Sequence, residues 1–135
     1  MNNKSTYLSN KLLNHVLSGQ VYTPPGPNNL YLALLSTPPS DNNIIELPSA
    51  NGYARTPITF SVAGSTPQTN GISTNTSQVL IGPATASWGT LAGIALFDAP
   101  TGGNLLYWAE ISPALNATQG FVFVVLPNGI TLGED

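Results

Sequence analysis

The residues able to do chemistry are few. His15 is the only histidine, and there is no cysteine. The carboxylates are Asp41, Glu46, Asp98, Glu110, Glu134 and Asp135, and the basic residues are Lys4, Lys11 and Arg55. A hydrolytic triad needs a nucleophile held against a histidine, and the sequence has no Gly-x-Ser-x-Gly elbow to hold one. One histidine without cysteine does not make a structural zinc site. Paired acids that cleave a glycosidic bond must face each other across about 5–10 Å. Asp98 and Glu110 belong to one predicted hairpin. With its turn near Thr101-Gly102, Glu110 falls opposite Gly93, and at about 3.3 Å per residue the two acids lie about 16 Å apart. Asp41 and Glu46 share a loop, but without the ligand spacing of a calcium-binding loop. Ser87-Trp88-Gly89-Thr90 lacks the lysine of a phosphate-binding loop. These residues predict no catalytic group, no cofactor and no metal.

Aromatic residues offer one further chemistry, stacking on sugars. Trp88, Trp108, Tyr53 and Tyr107 are the candidates. Tyr107 and Trp108 are consecutive in a predicted strand, so they point to opposite faces. Core or subunit contact is the stronger reading for them, since aromatics are enriched at interfaces. The triplets at Asn3, Asn75 and Asn116 match a glycosylation acceptor, as chance allows in a sequence this rich in Asn, Ser and Thr.

Composition excludes more than it assigns. Charged residues make up 7%, against roughly 25% in an average soluble protein. Asn, Ser, Thr and Gln supply about a third of the 135 residues, so amides and hydroxyls build the polar surface. Such a surface neither steers charged ligands nor makes strongly salt-dependent contacts. It suits a neutral soluble domain, or a protein packed among many copies of itself or its neighbours. Three basic residues do not make a nucleic-acid footprint. No apolar run approaches the roughly 20 residues of a membrane span, and no apolar signal core follows Met1-Asn2-Asn3-Lys4. Synthesis in a cytoplasm is the expectation, with export, if any, by lysis or as part of a particle.

The elements that position these residues are mostly strands. Residues 5–18 predict the one helix. Leu8, Leu12 and Val16 form an apolar stripe that Leu13 and Leu17 widen. Ser5 or Thr6 caps its start, and Gly19 suits a left-handed stop. His15, near the last turn, favours the negative end of the helix dipole, a structural role. Residues 22–28 are a Pro-rich link. Strands are predicted at 30–35, at 53–62 with Ile58, Phe60 and Val62 inward, and at 77–82. A hairpin joins 91–97 to 105–111 across Asp98–Asn104, and further strands are predicted at 121–126 and 130–132. Residues 38–49, 64–71 and 112–119 read as loops. The fold class is mainly β, an antiparallel β-sandwich of jelly-roll or immunoglobulin-like type with one N-terminal helix. The organisation is a helix over 1–20 and a sandwich over 21–135.

Several segments, in order, carry a resemblance. They are the helix from Tyr7 to Gly19, Tyr22-Thr23-Pro24-Pro25 and Leu30-Tyr31-Leu32-Ala33-Leu34. Gly52-Tyr53-Ala54-Arg55, Ala86-Ser87-Trp88-Gly89-Thr90 and Leu96-Phe97-Asp98-Ala99-Pro100-Thr101-Gly102-Gly103-Asn104-Leu105-Leu106 follow. Together they span nearly the whole sequence, which resembles a family of small phage and prophage proteins known as tail fibre proteins. The resemblance implies a non-enzymatic structural protein of the virion, either a capsid decoration (cement) protein or a small tail-fibre subunit. Its partners would be other phage structural proteins of capsid or tail and further copies of itself. The alternative is a module that binds a receptor or host surface glycan; a polysaccharide-cleaving enzyme lacks its pair of acids. Two contact surfaces are expected: the helix stripe Leu8, Leu12, Leu13, Val16 and Leu17, and loop 38–49 with Ile44, Ile45 and Leu47. The helix either packs on its own sandwich or anchors to a neighbour. Arg55 is expected to pair with a carboxylate, such as Asp98 or Glu110, and lock two strands or a turn.

Overall fold

A computed structural model describes residues 3–133. The main sheet has five antiparallel strands. They are β1 (Asn3–Lys4), β2 (Tyr31–Leu35), β3 (Thr56–Pro57), β6 (Gly89–Phe97) and β7 (Leu105–Ala117), in the order β1-β7-β6-β2-β3. Two antiparallel ribbons accompany it, β4 (Ile72–Thr74) with β9 (Thr131–Gly133), and β5 (Val79–Ile81) with β8 (Phe123–Val125). One helix, α1 (Thr6–Ser18), lies near the N-terminus. The protein is mainly β and antiparallel with one N-terminal helix, as its periodicities predict, and the layer facing the main sheet consists of the two ribbons.

Alternation along the central strands explains the layering. Leu32 and Leu34 pair with Leu96 and Ile94. These four join Leu91 and Leu106 in the larger core, together with Val79, Ile81, Val125 and Ile130 from or beside the ribbons. The alternate residues Ala33, Leu35, Ala95 and Phe97 face the other way and pack with Ile44, Leu105 and Trp108. Both faces of β2 are therefore covered, which is why its sequence is an unbroken apolar run. Loop 36–47 supplies the second cover. Gly93 is a packing requirement there, because a Cβ at that position would lie 2.8 Å from Pro39 Cδ and 2.9 Å from Ala109 O.

The β6–β7 hairpin has the predicted register, with Glu110 opposite Gly93. β7 runs further than expected, to Ala117. Between the pairs Gly93–Glu110 and Leu91–Leu115 it takes five steps where β6 takes two. The surplus forms a bulge containing Pro113, and a bulge is where a strand tolerates proline.

Residues 53–62 depart from the single predicted strand. Only Thr56–Pro57 pairs with β2, at the sheet edge where Pro57 is tolerated. Ile58 N–H still donates to Leu30 O at 3.0 Å. The backbone then crosses to the ribbon layer: Thr76 N–H donates to Thr59 O at 2.9 Å, and Ser61 N–H to Thr74 O at 2.8 Å. Leaving the sheet ends the alternation, so Ile58 is buried while Val62 is exposed.

Candidate interaction surface

The cap of α1 also attaches the helix to the sheet. Ser5 Oγ accepts a hydrogen bond from Leu8 N–H at 3.1 Å and donates to Leu105 O at 2.5 Å. Ser5 N–H donates to Leu106 O at 2.8 Å. Gly19 closes the helix with φ 68°, a left-handed conformation that glycine adopts without strain. His15 Nδ1 lies 2.8 Å from Gln20 O. A carbonyl only accepts, so Nδ1 carries the proton and the ring acts as a C-terminal brace.

This attachment divides the apolar stripe. Leu8 is buried in the core and Leu12 packs against it. The structure thus withdraws Leu8 from the expected contact surface, because the Ser5 cap holds the first turn against β7. Leu13, Val16 and Leu17 face outward, with 56%, 73% and 75% of their surface exposed. They and Leu12 border an open groove of about 650 Å³, completed by Tyr107, Ser9 and Lys4.

Loop 38–49 is divided in the same way. It folds back along β2, with Ser36 N–H donating to Ile45 O at 2.9 Å and Leu47 N–H to Leu34 O at 3.0 Å. Leu47 therefore enters the larger core rather than a free surface. Ile44 packs against the smaller core, and Ile45 stays exposed.

Arg55 organises the same region. Its Nε and Nη2 donate to the two oxygens of Glu46 at 2.9 and 2.8 Å, a bidentate pair. Nη1 donates to Ala99 O at 2.9 Å and Gly102 O at 2.8 Å in the β6–β7 turn. The guanidinium also lies 3.7 Å from the Phe97 ring centroid. Arg55 does lock a turn, but its carboxylate partner is Glu46 rather than Asp98 or Glu110. Asp98 is already engaged by Asn104, through the backbone N–H at 2.7 Å and Nδ2 at 3.0 Å. The turn therefore offers Arg55 its carbonyls.

Tyr53 O–H donates to Glu46 Oε2 at 2.5 Å and accepts from Leu34 N–H at 3.1 Å. Burial, then the hydrogen bond to Glu46, pushes its phenol well above the ordinary range. The folded state thus keeps this proton where the unfolded state releases it. The associated stability is complete below about pH 10 and declines as pH rises through the raised value, at a limiting slope of about 1.4 kcal/mol per pH unit. Thermal melts at pH 8 and 11 should show a smaller alkaline loss for Tyr53→Phe than for the parent protein. Equal losses would show that Tyr53 does not carry the effect.

The aromatic candidates do not share a platform. Trp88 Nε1–H donates to Asn51 O at 2.8 Å, and its ring meets Tyr53 and Phe121 edge-on at 5.9 and 6.1 Å. Trp108 Nε1–H donates to Asp41 Oδ1 at 3.1 Å, and its ring packs on the smaller core. Tyr107 faces the opposite side, as strand alternation requires, and packs against the larger core.

The carboxylates are likewise dispersed. Asp41, Glu46 and Asp98 each accept the hydrogen bonds described above, and Glu110 stands opposite Gly93. Glu134 and Asp135 lie outside the described residues. Among the described residues, no three His, Cys, Asp or Glu side chains gather to hold a metal ion.

Sequence reasoning missed Asn75. This residue is fully buried. Nδ2 donates to Ser77 O at 3.0 Å and Leu126 O at 2.9 Å, and Oδ1 accepts from Ile130 N–H at 2.8 Å. Its only sequence signal is the Asn-Thr-Ser triplet, which points to the surface instead.

No curated protein matches the sequence. The family model described as podophage GP4 fiber I protein gp80 matches residues 3–133, and the protein belongs to this family of phage fibre proteins, structural components of the virion that associate with other particle proteins.

Proposed function

We propose that this protein is a non-enzymatic subunit of a phage tail fibre, joined to other fibre or tail proteins and to copies of itself through the outer side of α1. The observation that carries this reading is the division of the helix. Its inner residues are seated in the core, while Leu13, Val16 and Leu17 present an apolar strip beside a groove. Grouped exposed apolar side chains of this kind are a docking signature, and a helix face is a common way to fill a groove. Ile45 is a second, smaller contact. The N-terminal helix serves attachment, and the β-structure that follows it is the body that carries it. Membership of a fibre family favours this position over capsid decoration. The two tryptophan rings pack against separate cores, which favours a packing role for them over a shared glycan platform.

A combined Leu13→Ser, Val16→Ser, Leu17→Ser variant tests the proposal. Exposed substitutions each change stability by about 0.5 kcal/mol or less, so the melting temperature should move little. Incorporation into particles, followed by immunoblot of purified virions, should fall about tenfold or more, the effect of roughly 1.4 kcal/mol at the contact. Normal incorporation would remove α1 as the contact. Cryo-electron microscopy of the particle supplies the position: density on the tail supports the fibre reading, and density tiling the shell supports capsid decoration.

A further inference from the structure

We propose that Asn70 is a site of spontaneous deamidation, a self-modification that the fold directs to one of its three Asn-Gly pairs. The chemistry is internal. The backbone nitrogen of Gly71 loses its proton and attacks Cγ of Asn70. A new C–N bond forms, the Cγ–Nδ2 bond breaks, and Nδ2 leaves as ammonia. Water then opens the succinimide ring at either carbonyl, yielding aspartate or isoaspartate. No oxidant, cofactor or enzyme is needed. The reaction does require the Asn carbonyl and the following N–H to rotate freely.

All three pairs are solvent-exposed, so exposure does not separate them. Hydrogen bonding does. At Asn128-Gly129 the attacking nitrogen is committed, because Gly129 N–H donates to Leu126 O at 2.8 Å. The side chain under attack is held as well, with Asn128 Oδ1 accepting from Thr74 Oγ1 at 2.9 Å. At Asn51-Gly52 the Asn51 carbonyl is clamped by Thr85 N–H at 2.9 Å and Trp88 Nε1–H at 2.8 Å. Gly52 is wedged under Pro83 O, where a Cβ would come within 2.6 Å. By contrast, neither the Asn70 side chain nor Gly71 N–H makes a hydrogen bond among the described residues. Asn70 has φ −59° and ψ 120°, and Gly71 has φ 68°, the dihedrals of a type II turn with glycine at its left-handed corner. Such a turn opens without breaking the fold.

The product has a structural consequence. Gly71 lines an apolar cleft of about 250 Å³ beside Leu30, Phe60 and Leu132. Aspartate adds a negative charge next to Gly71 on a protein of net charge −3. Isoaspartate lengthens the backbone by one atom, just ahead of the Ile72–Gly133 pair that begins the β4–β9 ribbon.

The full-length folded protein, held at mildly alkaline pH and digested at intervals, tests this. Mass spectrometry of the three Asn-Gly peptides should show Asn70 converting about tenfold faster than Asn51 or Asn128, the factor that one or two retained hydrogen bonds supply. In urea the three rates should converge. Asn70→Gln, which disfavours ring closure, should abolish the early product. Equal rates in the folded state, earlier loss at Asn51 or Asn128, or a difference that survives unfolding would overturn the proposal.

Discussion

An Arg55→Ala variant is expected to be about 3 kcal/mol less stable than the parent, with a melting temperature lower by roughly 10–15 °C. Two features set the size of the effect. The Arg55 side chain is only 7% exposed and the Glu46 side chain 25%, so the pair is largely desolvated. Its loss leaves Glu46 with the Tyr53 hydroxyl but no cation, and it leaves Ala99 O and Gly102 O without their donor. Water can reach part of Glu46, which keeps the cost at the low end for a broken buried ion pair. The damage should be local in origin. Loop 36–49, the Tyr53–Arg55 segment and the β6–β7 turn meet at this guanidinium, so hydrogen exchange should accelerate there first. Arg55→Lys tests geometry against charge. Lysine keeps the charge but not the planar fork, and it should recover less than half of the loss. An Arg55→Ala variant that melts with the parent would show that the cluster is surface decoration.

This cluster marks how far the sequence can be read. Features with short-range signals are legible. Ser5 and Gly19 bracket α1 in the predicted roles, and the turn residues between Asp98 and Asn104 place Glu110 opposite Gly93. The apolar run in β2 correctly implies cover on both faces. Features set by long-range pairing are not legible. β1 and β4 are two or three residues of mostly polar sequence, and they are strands only because β7 and β9 lie beside them. The Ile58-Phe60-Val62 alternation looks continuous, yet the backbone switches layers in the middle of it. Five leucines and valines on α1 form one stripe by periodicity, but whether that stripe is covered depends on the Ser5 bond to β7, a hundred residues away. The same holds for Leu47, whose burial follows from the loop folding back on Leu34. Arg55 is legible as a lock, but its carboxylate is not, because Asn104 has already taken Asp98.

Asn75 is the extreme case of this non-local dependence, and its replacement should be the most damaging in the ribbon layer. Asn75→Ala removes one acceptor and two donors from a fully buried position, leaving Ser77 O and Ile130 N–H without this partner and Leu126 O with Gly129 N–H alone. Each buried polar group left unsatisfied costs about 1–3 kcal/mol, so a loss of about 3–5 kcal/mol is expected even if water enters the space to serve one of them. Asn75→Asp separates shape from hydrogen bonding. It is nearly isosteric and keeps the acceptor for Ile130 N–H, but it turns a carboxylate toward two carbonyl oxygens and buries a charge without a cation. It should therefore be at least as destabilising as alanine at neutral pH. Lowering the pH toward 4 should narrow that gap, because protonation restores one donor. The reason for so steep a cost lies in the architecture. The Asn75 side chain ties the segment after β4 to the segments that follow β8 and precede β9, so one amide joins both ribbons across the layer that closes the larger core. Denaturant unfolding of the two variants decides it. If Asn75→Asp matches the parent at pH 7, the amide donors are dispensable, and apolar packing with the backbone bonds of Asn75 to Ile130 and Asn128 holds the ribbons. If both variants lose stability as expected, a single buried amide substitutes for the continuous strand pairing that the second layer lacks.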